Sequence, residues 1–242
     1  MATFTYDGTN TAHSDFVLEV ERRMDEVAGD GETPRLQAGK VYAFGVEAVL
    51  QMLRTADQLL LSPLAVDLAT QGALEGTAIL DPSVSSGAPT IGVRYHFQTV
   101  SPRFLRFVRA KIEGWPRAVE AAERTGTAAH AREASPYTRA PAFRPRVYLQ
   151  TGSGRFTLEC YPGPTVTFES LVIFQETAPE AWVSKAPELS DALYWATAAR
   201  VLRAERYAEL ADAADASAAS AMGAQRLGLE GEPDVTPNPS MA

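Results

Sequence analysis

The chain has 242 residues, 45% of them hydrophobic and 21% charged, with a formal net charge of −8. This composition provides for a folded core and excludes disorder along the whole length. The acidic balance argues against general affinity for nucleic-acid backbones or anionic membranes, because both need positive surface.

In chain order, Met1 to Asp7 lacks the basic start and apolar stretch of a signal peptide, so none is expected. No window reaches the roughly 20 apolar residues of a membrane span, so a soluble, intracellular product is expected. Ser14 is placed to cap a first helix, with Asp15 and Glu19 near its positive end. Val17, Val20, Met24 and Val27 follow at helical spacing, and Gly29-Asp30-Gly31 stops them. A second helix is predicted over residues 39–61, with Val49, Met52, Leu53, Ala56, Leu59 and Leu60 forming its stripe. Joined by a short loop, the two helices suggest an antiparallel pair.

Proline and glycine then break the helical pattern, and residues 73–80 and 91–97 are candidate strands. Residues 105–114 alternate like a half-buried strand whose apolar side is led by Val108 and Ile112. Trp115-Pro116 ends it, and residues 117–120 are a candidate restart. Residues 125–145 read as a loop or arm. Arg146 to Gln150 and Arg155 to Tyr161 alternate on either side of Thr151-Gly152-Ser153-Gly154, the pattern of a β-hairpin. Residues 166–176 predict one more strand. Pro187 suits the first turn of a long alanine-rich helix running to about Met222.

The expected fold class is α+β. A helical pair over 1–62 and a long helix over 185–222 form one bundle. An antiparallel β-rich region over 63–184 is inserted, carries a flexible arm at 125–145, and the tail over 223–242 is disordered by composition.

Charge is distributed unevenly. Residues 1–60 carry 5 basic and 10 acidic groups, 100–156 carry 11 and 4, and 157–242 carry 5 and 13. A positive middle between negative ends lets the chain pair its own parts or stack with copies and partners. Mutual neutralisation within one monomer is the simpler alternative.

No motif for catalysis stands out. Gly152-Ser153-Gly154 lacks the flanks of a nucleophile elbow and sits at a hairpin tip, where a turn is the better reading. His13, His96 and His130 have no metal-helix spacing, and Gly72-x-x-x-Gly76 lacks the Lys-Ser/Thr of a phosphate loop. Cys160, the single cysteine, cannot close an internal disulfide and fits a reducing compartment. It reads as a small buried hydrophobe in a strand. No catalytic, cofactor or metal residues are therefore assigned. The strip of Arg103, Arg106, Arg109 and Lys111 with interleaved Phe104 and Phe107 is read as an interface ahead of a nucleic-acid surface.

Two N-terminal helices, a β-rich insertion with an arm and an alanine-rich C-terminal helix resemble the head-to-tail connector, or adaptor, proteins of short-tailed bacteriophages. The local phrases that carry the resemblance are Pro102-Arg103-Phe104-Leu105-Arg106, then Ile112-Glu113-Gly114-Trp115-Pro116-Arg117, and Asp191-Ala192-Leu193-Tyr194-Trp195-Ala196. Thr3-Phe4-Thr5-Tyr6-Asp7-Gly8 and Ser135-Pro136-Tyr137 are similar to ring proteins of the crAss-like group.

The resemblance implies a virion structural protein and not an enzyme. By the same resemblance it is expected to be made in the host cytoplasm, to sit at the head–tail junction, and to form a ring of about twelve copies. Its implied partners are itself, the portal protein, a downstream tail or nozzle protein, and genomic DNA passing without sequence recognition. No membrane partner or cofactor is implied. Candidate interface residues are Arg103, Arg106, Arg109, Trp115, Arg117, Tyr137, Tyr194, Trp195, Glu205 and Glu209. The alternatives are another phage neck or tail component, or a serine hydrolase using Ser153 with His96 or His130.

Overall fold

The computed structural model describes residues 4–29, 33–70, 74–79, 94–99, 103–133, 144–152, 155–161 and 167–230. The chain is a mixed α and β protein whose contacts divide it into two compact units. One unit is Leu64–Glu176, together with Met1–Thr3, which lie outside the described residues. The other joins Phe4–Pro63 to the chain from Thr177 onward.

The second unit is helical. Helix α1 (Thr11–Ala28) starts one turn earlier than the Ser14 cap predicts. Asp7 folds a tight turn by accepting the Thr9 N–H and hydroxyl, which leaves Asn10 to cap the helix by accepting the Ala12 N–H at 3.0 Å. Phe16, Val17, Val20 and Met24 form its buried stripe. Helix α2 (Ala38–Thr55) ends before the predicted 61, because Ala56 turns extended and Asp57 accepts the Leu59 N–H. The stripe therefore breaks. Val49, Leu53, Leu60 and Leu61 are buried, while Leu59 is 74% exposed.

The long helix predicted over 185–222 is in fact several pieces. Helix α4 (Pro179–Lys185) begins earlier, with Pro179 in its first turn, and a short 3-10 turn (Pro187–Leu189) leads into α5 (Ser190–Ala204). Helix α6 (Ala208–Glu230) then packs back along α5. Between them Arg206 takes a φ of 70°. The Tyr207 N–H reaches Leu202 O at 2.9 Å and the Arg206 N–H reaches Arg203 O at 3.2 Å, the two bonds of a Schellman stop. The left-handed position of that motif usually carries glycine, and here it is arginine. Residues 223–230, expected in a disordered tail, belong to α6. Helix α5 packs against α1, α2 and α6 and supplies the centre of this unit's core through Leu193, Ala198, Val201 and Leu202.

The other unit holds two sheets. Strands β1 (Val66–Asp67), β8 (Phe168–Gln175) and β4 (Phe104–Ile112) form an antiparallel sheet in the order β1-β8-β4. The second sheet has the order β2-β3-β7-β6-β5, from β2 (Leu74–Ile79), β3 (Arg94–Thr99), β7 (Arg155–Tyr161), β6 (Arg146–Gly152) and β5 (Ala122–Arg124). Its pairs are antiparallel except β5 with β6.

Simple alternation fails in β4. Its register shifts between Phe107 and Arg109, so Phe107, Ala110 and Ile112 face the core and Val108 does not lead the apolar side. Residues 117–120 contribute only a bridge between Val119 and Ala110. Those core residues pack with Trp115, Val147, Leu158, Cys160, Leu171 and Ile173, so the two sheets share one apolar interior. The arm expected at 125–145 contains a short helix, α3 (Ala128–Glu133), whose Thr127 hydroxyl accepts the His130 N–H at 3.1 Å. Residues 134–143 lie outside the described residues.

Candidate functional site

Each unit buries a polar cluster built to the same plan. In the helical unit the backbone N–H of Asp7 donates to His13 Nδ1 at 2.9 Å. A backbone N–H can only donate, so Nδ1 accepts and the neutral ring carries its proton on Nε2. That nitrogen faces Glu180 Oε1 at 3.2 Å, and the Tyr42 hydroxyl donates to Glu180 Oε2 at 2.8 Å. His13 is 7% and Tyr42 1% exposed. Burial, followed by the bond to Glu180, pushes the Tyr42 hydroxyl well above its ordinary value.

In the β unit Gly126 N–H donates to His130 Nδ1 at 3.2 Å, and His130 Nε2 faces Glu159 Oε2 at 2.7 Å. The Tyr161 hydroxyl donates to the same oxygen at 2.9 Å. Alternation along β6 and β7 explains the cluster. Val147, Leu158 and Cys160 enter the apolar core, which leaves Tyr148, Glu159 and Tyr161 on the opposite face, and these are buried as well. The ring of His130 stands edge-on to Tyr148 with centroids 4.9 Å apart. Tyr148 Oη and one carboxylate oxygen of Glu133 are buried without a well-formed hydrogen bond. Burial raises the Tyr148 hydroxyl above its usual value, while the Arg146 guanidinium beside it pulls the other way.

With the proton fixed on Nε2, each imidazole presents a donor to a carboxylate, which is the wrong tautomer for a metal ligand at that nitrogen. Among the described residues no group of three or more His, Cys, Asp or Glu side chains is arranged to hold a metal. Cys160 is fully buried, and burial, then Glu159, pushes its thiol well above the ordinary range. Ser153 lies outside the described residues, and His130 Nε2 is committed to Glu159. A groove of about 460 Å³ is lined by Arg117, Ala118, Val119, Glu120, Ala121 and Pro145, with one cation and one anion on its wall.

The sequence-derived interface residues divide between the two units. Arg103, Arg109 and Arg117 are exposed in the β unit, and Arg106 is half-buried in β4. Trp115 is a correction: at 3% exposure it belongs to the core, because the turn after β4 folds it inward with its N–H on Ile112 O. Tyr137 lies outside the described residues. In the helical unit Tyr194 and Trp195 are half-buried on α5. Tyr194 packs on Phe16, and Arg23 lies over the Trp195 ring at 5.4 Å while also pairing with Glu26 and Asp191. Glu205 and Glu209 are exposed at the turn between α5 and α6.

The sequence reading missed both histidine clusters. Each draws its members from segments far apart in the chain, and no local spacing announces them. Among the described residues no helix is long and apolar enough to cross a membrane. No protein-family model matches the chain, and no curated protein matches it.

Proposed function

We propose that the chain is a virion structural protein, a head-to-tail connector subunit that forms a ring below the portal, joins the capsid to the tail and continues the DNA channel. The observation that supports this reading is exposed charge of both signs left without an ion pair among the described residues. Arg109, Arg117 and Arg124 are exposed on the β unit, and Glu205 and Glu209 are exposed at one end of the helical unit. Among the described residues none of the five has an ion-pair partner, whereas Lys111, Arg35, Arg200 and Arg203 all do. Free charges of both signs on one subunit are available for a heterologous contact, which closes into a ring when the rotation permits.

The order of parts supports the same reading. A helical bundle is assembled from both ends of the chain, and the β region is inserted between them, as in the connector proteins it resembles. An acidic lining would let DNA pass without being held, since cations to bind phosphate would be scarce. Portal protein above, a tail or nozzle protein below, and further copies alongside are the partners this role requires. The test is to mix the purified chain with the portal protein of the same particle and image the product by electron microscopy. Rings seated on the portal are expected; a chain that stays monomeric and never joins the portal overturns the proposal.

A further inference from the structure

We infer that α6 is exchanged between copies of the chain: residues 190–230 straighten into one helix, which carries α6 onto the α5 of a second copy. The inference deepens the ring reading and rests on it for self-association alone. The break between α5 and α6 carries neither of the residues that customarily make one. Arg206 holds the left-handed position at a φ of 70°, where a Cβ is crowded and glycine is usual. Tyr207 directly precedes α6, where serine, threonine, aspartate or asparagine would cap the first turn. No glycine or proline occurs between Ser190 and Met222, and alanine is the commonest residue there. Every hinge residue can therefore continue the helix, and a short hinge under strain invites exchange.

The closed form is held by an interface that a second copy reproduces. Helix α6 packs chiefly on α5, burying Ala211 and Ala214, and meets α1 and the 3-10 turn less extensively. From α5, Arg203 Nη2 donates to Asp212 Oδ1 at 3.0 Å and Asp215 Oδ2 at 2.7 Å on α6. These contacts are lost when α6 leaves and are made again on the α5 of a neighbour. What differs between the two forms is the hinge, residues 205–207. Straightening frees Arg206 from the left-handed region and lets the hinge N–H groups bond four residues back, as in any helix. An opened chain has an α6 to give and an α5 to cover. Two different surfaces of that kind join copies head to tail as readily as in reciprocal pairs.

Crosslinking across the α5–α6 contact tests this on the full chain. Arg203→Cys and Asp212→Cys replace two exposed side chains that touch across the contact, and the buried Cys160 stays out of the reaction. The double variant is refolded from urea at high concentration, separated by size and treated with a short bis-maleimide. On a denaturing gel the monomer fraction should show bridges within one chain, and the assembled fraction bridges between chains. Either substitution alone should give no bridge. In the otherwise unaltered chain, Arg206→Gly should cut the assembled fraction formed on refolding about tenfold, because glycine relaxes the turn and weakens the continuous helix. Bridges confined to single chains in the assembled fraction overturn the exchange and leave the ring reading standing. Exchange between copies that never seat on the portal does the reverse. A chain that stays monomeric after concentrated refolding, or an Arg206→Gly variant that assembles as readily as the wild type, also overturns the inference.

Discussion

Gly45 sits inside α2, where replacing glycine by alanine would ordinarily stabilise a helix by about 1 kcal/mol. The structure reverses that sign. A Cβ at Gly45 would lie 2.5 Å from Phe16 Cε1 and 2.7 Å from Cζ, with Pro179 Cγ at 3.4 Å. Ordinary carbon contacts begin near 3.5 Å, so the Phe16 ring would have to retreat by about 1 Å. It has little room, since Phe16 is 2% exposed and packs against Tyr42 and Tyr194 at 6.2 and 5.6 Å between centroids. Overpacking of this kind costs about 1–3 kcal/mol. After the helical gain is subtracted, Gly45→Ala should destabilise the helical unit by up to about 2 kcal/mol.

Urea unfolding followed by circular dichroism at a helical wavelength measures the effect. Gly223 in α6 serves as the control, because its added Cβ meets nothing within 4 Å and Gly223→Ala should be neutral or stabilising. Combining Gly45→Ala with Phe16→Leu should cost less than the sum of the two changes, since the smaller side chain vacates the space. A Gly45→Ala that stabilises by the full helical gain of about 1 kcal/mol would show that α1 and α2 do not approach as described.

Further outcomes follow from other parts of the fold. Ile112→Ala should cost about 2–4 kcal/mol and Val108→Ala less than about 1 kcal/mol, because the bulge in β4 turns Ile112 and not Val108 into the core; equal losses would refute the register. Arg206→Gly should raise stability by about 0.5–1 kcal/mol by relieving a left-handed backbone at the Schellman position, and a loss would contradict the φ of 70°. Cys160 should resist an aqueous thiol reagent in the folded chain and react fully once unfolded, whereas rapid labelling of the native protein would contradict its burial. Self-association should weaken as salt rises from about 0.05 to 0.5 M if unmatched arginines and glutamates bring copies together, and a salt-independent equilibrium would refute charge pairing as its cause.

Features written in local periodicity were the legible ones. The stripe of Val17, Val20 and Met24 marked α1, and the glycine turn between two alternating runs marked the hairpin of β6 and β7. Features that depend on distant chain were not legible. A bulge changes which side of β4 is buried without any proline or glycine inside the strand to signal it. The stop between α5 and α6 uses Arg206 where glycine is customary, so alanine-rich flanks read as one helix. The short α3 did leave a trace in Thr127, a capping residue three positions before His130, which composition alone obscured. Trp115, chosen for an interface by its phrase, is core because the residues after β4 turn inward.

The most direct measurement is the solution mass of the purified protein, alone and with portal protein, at low ionic strength. A closed assembly of one defined copy number that moves into a single complex with the portal is the predicted result. A particle of one chain's mass at every concentration, unchanged by the portal, would contradict the proposal that this protein works by building a ring.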